Sequence, residues 1–194
     1  MSTQLAVSVR DVVFCSRAAP SFPMRNTWGV MENRFCTCFP STVKENRMGT
    51  DCTSSNPGSS GTVFFSGCTL RCSFCQNSQI SAGGFGKAIT PQRLRQIFDE
   101  LIAQGAHNIN LVTPDHFTPW ILEALNEPLP VPVVWNCSGY ASVETLRALE
   151  GKVQIYLPDY KYPDPAGAKQ YAMAEDYPDV AREAIREMVR QTGP

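Results

Sequence analysis

Apolar and polar positions alternate along the second two thirds of this chain in two rhythms, short β-rich runs and longer helical stripes. Thr62–Phe65 is a β-prone run ending at Gly67. Thr90-Pro91 then opens a helix, with Thr as N-cap and Pro at the first helical position. Leu94, Ile97, Phe98, Leu101 and Ile102 follow at helical spacing and form one apolar face, and Gly105 closes the element. The next strand is expected over Ile109–Val112. Thr118-Pro119 opens a second helix, carrying Ile121, Leu122 and Leu125. A strand over Val131–Trp135 precedes a short helix that starts near Ser142, with Val143, Leu146 and Leu149 inward. A last strand, Val153–Leu157, runs into a long loop. The final helix begins near Pro178, and Ala181, Ala184, Ile185, Met188 and Val189 form its expected buried stripe.

Strands and helices alternating at this spacing require parallel strands joined by right-handed crossovers. About four such units are present, which fit either a small open sheet or part of a larger (β/α) barrel. The fold class is therefore α/β over residues 62–194. Residues 1–61 read as an irregular, cysteine-containing region rich in Ser, Thr, Asn, Pro and Gly, ending in the loop TSSNPGSSG.

Charge adds an exclusion. With 17 basic and 18 acidic side chains, the chain has no general nucleic-acid footprint and no polybasic membrane patch. No run of about 20 apolar residues is present, and the N-terminus is broken by Arg10 and Asp11, unlike a signal peptide. A cytoplasmic location is expected. In such a reducing compartment, closely spaced cysteines are more often metal ligands than disulfides.

The cysteines change the picture most. Seven of the eight lie in the first 75 residues, and Cys68, Cys72 and Cys75 fall together just after the Thr62–Phe65 strand. Three residues and then two separate these thiols, a spacing that can turn all three toward one point. Soft thiolates suit iron–sulfur clusters, and three ligands to a four-iron cube leave one iron open to chelate a small molecule. A zinc site is the competing reading, but structural zinc wants four closed ligands. The fourth would have to be Cys52, Cys38 or His107, none of them positioned by local sequence. Purely structural thiols are a third reading.

The motif Cys68-Thr-Leu-Arg-Cys72-Ser-Phe-Cys75 resembles that of the radical S-adenosylmethionine (radical SAM) superfamily. The strings TVFFSGCTLRCSFCQN, HNINLVTPDHF, PVVWNCSGY, and VQIYLPDYKY followed by DYPDV look like one branch of it, the pyruvate formate-lyase-activating-enzyme-like iron–sulfur proteins. The likeness covers roughly residues 60–192. It implies an incomplete (β/α)6 barrel carrying a [4Fe-4S] cluster on Cys68, Cys72 and Cys75, with S-adenosylmethionine on the open iron. It also implies reductive cleavage to a 5′-deoxyadenosyl radical for hydrogen abstraction, activating a partner enzyme. An electron donor such as flavodoxin or ferredoxin and a protein substrate of the glycyl-radical type are the implied partners.

The resemblance also nominates the cofactor-binding residues. Asp159 and Lys161 match an Asp-x-Lys after the fourth strand, the lysine near the SAM carboxylate. Asn136-Cys-Ser138-Gly matches a turn lining SAM. Phe74, between the last two cysteines, packs near the adenine or serves the core; Asn77 and Thr113 complete the set. Asp115 also follows a strand. His107 and His116 read as structural. Many superfamily members carry Gly-Gly-Glu after the second strand, where this chain has Thr113-Pro114-Asp115. Cys36, Cys38 and Cys52 resemble a degraded form of the branch's N-terminal cysteine stretch, and free buried thiols or a disordered segment compete there with a second metal site. The branch continues for about two more units past this C-terminus, so either a truncated chain or a completing partner is expected, and an inactive fragment or a non-enzymatic metal module competes with the enzyme reading.

Overall fold

The computed structural model describes residues 7–14, 59–83 and 86–193. Its centre is a six-stranded sheet. In chain order the strands are β1 (Val7–Phe14), β2 (Ser59–Phe65), β3 (Lys87–Ile89), β4 (Ala106–Val112), β5 (Val133–Cys137) and β6 (Ile155–Pro158). The sheet order is β3-β1-β2-β4-β5-β6. Strands β2, β4, β5 and β6 run parallel, and β1 is antiparallel to both β2 and β3. The helices are α1 (Ser78–Ser81), α2 (Pro91–Ala103), α3 (Thr118–Ala124), α4 (Val143–Ala148), α5 (Pro165–Ala172) and α6 (Tyr177–Thr192).

One core shows that the sheet is wound in a single direction. Leu94 and Phe98 of α2, Ile121 of α3, Leu146 of α4 and Met188 of α6 all join a single apolar cluster. The same cluster takes Val63, Phe65, Ile109, Leu111, Val133 and Trp135 from the strands. Side chains alternate across a strand, so the other face carries Thr62, Asn108, Asn110 and Asn136 among Phe64, Val112 and Val134. Helices on one face and polar groups on the other are the pattern of a partial barrel rather than of a doubly wound open sheet. The α/β expectation holds in this form.

Local signals account for most element ends. The Thr90 side chain accepts from the Arg93 N–H and caps its helix as expected, and Ser142, near which a helix start was expected, caps α4 by accepting from the Thr145 N–H. Strand β5 begins two residues later than the apolar run, because Pro132 has no N–H to give a ladder, although its carbonyl still accepts from Ile109 at 3.0 Å. Strand β6 also starts late, since Val153 remains bonded to the end of α4 through the Leu149 carbonyl.

Four expectations need correction. Residues 1–61 are not irregular throughout, because Val7–Phe14 is a strand with a register shift between Arg10 and Val13. Strand β3 was not expected. The loop after β6 contains α5, capped by Asp164, whose side chain accepts from the Gly167 N–H at 2.8 Å, with Pro165 at the first position. Val189 is 43% exposed, because the inward stripe of α6 runs through Tyr177, Ala181, Ala184 and Met188 instead. Among the described residues, no helix is long and apolar enough to cross a membrane.

Candidate functional site

The parallel strands all end on one side, and the loops after them gather there. The loop after β2 carries Cys68, Cys72 and Cys75, each half-buried and unpaired. It is held by its backbone. Gly67 N–H donates to the Ile80 carbonyl at 3.0 Å, Ser73 N–H to the Tyr171 carbonyl at 2.9 Å, and Cys75 N–H to the Cys72 carbonyl at 3.1 Å. Gly67 has a φ of 86°, and a Cβ there would stand 3.1 Å from His116 Nε2, so glycine is the residue this turn admits. His116 Nε2 lies 2.7 Å from the Ser66 carbonyl oxygen and donates to it, the structural role expected of it.

A second apolar cluster lies beneath this loop. It contains Leu70, Tyr162, Ala168, Ala172, Ala174, Tyr177 and Ala181, with Cys68, Cys72 and Tyr140 packed against it. Helix α5 thus supports the cysteine loop directly, through the Tyr171 carbonyl and through Ala168 and Ala172. Phe74 is 58% exposed, with its ring 5.9 Å from that of Tyr162 and 6.4 Å from that of Tyr171.

Tyr177 organises the remaining loops. Its side chain is fully buried, and its hydroxyl lies 2.8 Å from the Ser138 carbonyl and 2.7 Å from the Asp159 carbonyl. The same oxygen accepts the Lys161 N–H at 2.8 Å. One hydroxyl therefore ties the loop after β5 to the loop after β6. Sequence reasoning missed it, placing the helix start one residue later. The Asp159 N–H donates to the Cys137 carbonyl and the Thr113 N–H to the Asn136 carbonyl, both at 2.9 Å, closing the strand ends together.

The nominated side chains fall as follows. Lys161 Nζ donates to Asp159 at 2.7 Å, the plain ion pair that competes with a ligand role. Burial pushes the Cys72 thiol up, while the Tyr162 hydroxyl and the Lys161 ammonium draw it back and Cys68 and Cys75 push it up. Ser138 is buried and its Oγ accepts from the Tyr140 N–H. Asn136 is half-buried on the polar face of β5, and Thr113 adopts a φ of 59° at the end of β4. Asn77 is exposed, and its carbonyl accepts from Ile80 and Ser81 at the start of α1. Cys15, Cys36, Cys38 and Cys52 lie outside the described residues.

Asp115 belongs to the helix side of the sheet. Its Oδ1 accepts from Trp135 Nε1 at 2.9 Å, and burial raises its pKa to about 6. Because the folded carboxyl holds its proton more tightly than the unfolded one, its contribution to stability is full below its unfolded pKa. That contribution falls as pH rises through about 6, by up to about 3 kcal/mol. Asp115→Asn is expected to be more stable than the parent at neutral pH, with an advantage that shrinks as pH falls below about 6. Urea midpoints across this range check it; a pH-independent difference would contradict it.

The donor set is one of soft sulfur. Cys75 Sγ lies 3.2 Å from Ser81 Oγ, and the only other described cysteine, Cys137, is 3% exposed inside the larger core, its thiol pushed well up by burial. Among the described residues no group of three His, Cys, Asp or Glu side chains converges tightly enough for a single metal ion. A four-iron cube takes each cysteine on a different iron, and three half-buried, unpaired thiols on one loop match that donor chemistry. A pocket among Pro128, Pro130, Pro132 and Lys152 opens at the opposite end of the strands and touches none of these residues.

Comparisons with known proteins bear on this end of the sheet. No solved structure matches the chain. An uncharacterized protein of Methanocaldococcus jannaschii, MJ0674, is 32% identical over 134 residues, covering 63% of this chain and 39% of that protein. The chain thus spans about two fifths of the length of the curated relative it matches. Residues 62–192, from within the second strand to the end of α6, match the Radical SAM superfamily, and the chain belongs to that superfamily.

Proposed function

We propose that Cys68, Cys72 and Cys75 hold a [4Fe-4S] cluster and that S-adenosylmethionine binds beside it at the C-terminal ends of the parallel strands. The observation that carries this reading is the loop itself: three half-buried thiols, no fourth local cysteine, and a backbone pinned to α1 and α5. When bound, the cluster supplies the electron that splits S-adenosylmethionine into methionine and a 5′-deoxyadenosyl radical, which takes a hydrogen atom from the substrate.

The chain's own residues would bind and orient. Lys161 offers an ammonium for the SAM carboxylate, at the cost of its bond to Asp159. Phe74 offers an exposed ring face to the adenine. Asn136, on the polar face of the sheet, and Ser138 and Thr113, at its strand ends, supply hydrogen-bonding groups, with Asn77 at the rim.

The likeness to the pyruvate formate-lyase-activating-enzyme branch supports a finer reading. On it the radical is passed to a glycine of a partner enzyme, electrons come from a low-potential donor such as flavodoxin or ferredoxin, and the reaction is an oxidoreductase activity of the cytoplasm. The test is direct. Anaerobically reconstituted, reduced protein is expected to turn S-adenosylmethionine into methionine and 5′-deoxyadenosine. An intact cluster that releases no 5′-deoxyadenosine would sink the enzymatic reading.

A further inference from the structure

Tyr162 is 4% exposed, and its hydroxyl has no hydrogen-bond partner among the described residues. A buried donor left unmade costs roughly 1–3 kcal/mol, so its persistence asks for a partner. The ring cannot turn away. It meets Tyr177 edge-on at 5.3 Å and Phe74 at 5.9 Å, within the cluster under the cysteine loop. Cys72 packs against that same cluster, and after burial its thiol is the group that acts most strongly on the Tyr162 hydroxyl.

We propose that Tyr162 donates its O–H to the Cys72 thiolate when the [4Fe-4S] cluster is bound, and thereby raises the cluster's reduction potential. The inference rests on the assignment of Cys72 as a cluster ligand. A hydrogen bond to a ligand sulfur withdraws charge from the cluster. The reduced cluster carries one more electron than the oxidised one, so it gains more from the donor. One electron enters from the low-potential donor; no bond breaks, and the proton stays on the Tyr162 oxygen. Tyr162 is on this account a positioning residue, acting through Cys72.

The experiment is a mediated redox titration of the full chain, reconstituted with iron and sulfide and followed by EPR of the reduced cluster. Tyr162→Phe is expected to shift the one-electron equilibrium about tenfold toward the oxidised state, or about 59 mV downward. Tyr171→Phe, an exposed ring, is expected to leave the midpoint where it was. Equal midpoints for the wild type and Tyr162→Phe would overturn the proposal. Resonance Raman spectra of the wild type in H2O and D2O give a second reading that needs no variant. An iron–cysteine stretch that shifts on exchange supports the donated proton, and stretches insensitive to exchange overturn it. A wild-type chain that takes up no [4Fe-4S] cluster overturns the assignment of Cys72 instead, and the inference with it.

Discussion

Replacing Cys72 with alanine is expected to abolish the cluster's absorbance and EPR signal after reconstitution and to lower bound iron by more than about tenfold, since loss of mere outer partners already costs that much. Cys68→Ala and Cys75→Ala are expected to do the same. Cys137→Ala is the control. Its thiol is shut inside the larger core, so the variant should lose some stability to a small cavity but keep its iron. Iron and sulfide analysis beside the spectra reads both results. A loss shared equally by all four variants would point to a folding defect, and retention in Cys72→Ala would remove the thiol from the site.

Tyr177→Ala is the other large expected effect. The ring is fully buried, with Tyr140, Tyr160 and Tyr162 around it at centroid separations of 5.8, 6.1 and 5.3 Å. Truncating a buried aromatic costs about 3–5 kcal/mol, and here the Ser138 and Asp159 carbonyls lose their donor as well. Tyr177→Phe separates the two contributions. It keeps the ring and removes the hydroxyl, so a smaller loss of roughly 1–3 kcal/mol is expected, with faster hydrogen exchange at the Lys161 amide. Denaturant midpoints and amide exchange measure these. An unchanged Lys161 exchange rate in Tyr177→Phe would show that the hydroxyl does not anchor that loop.

The parts of this site that local sequence could reveal are those built from neighbours. Cys68, Cys72 and Cys75 share one loop, so their spacing alone suggested a common metal centre. Thr90-Pro91 and Ser142 placed their helices because a cap is a contact over three residues. The contacts that span the fold were not readable in this way. Tyr177 lies 39 positions from Ser138, and nothing near it in sequence marks a residue that bonds two strand ends. Tyr162 follows Lys161 directly, and its burial depends on α5 and α6, which come later in the chain. Helix α5 was itself announced by Asp164-Pro165, the same kind of cap as Thr90-Pro91, but its stripe is made of alanines and shows little apolar contrast. Strand β1 depends on pairing with β2 some 50 positions away, and Asp11 interrupts its alternation. The choice between open sheet and partial barrel was likewise global, decided by which face all four core helices share.

The central claim is that three cysteines leave one iron of the cluster open to S-adenosylmethionine. The most direct measurement is EPR of the anaerobically reconstituted, reduced chain with and without S-adenosylmethionine. The reduced chain is expected to give a [4Fe-4S]⁺ signal whose g-values change when S-adenosylmethionine is added. A reduced cluster whose spectrum is the same with and without it, or a protein that takes up zinc in place of the cluster, would contradict the claim.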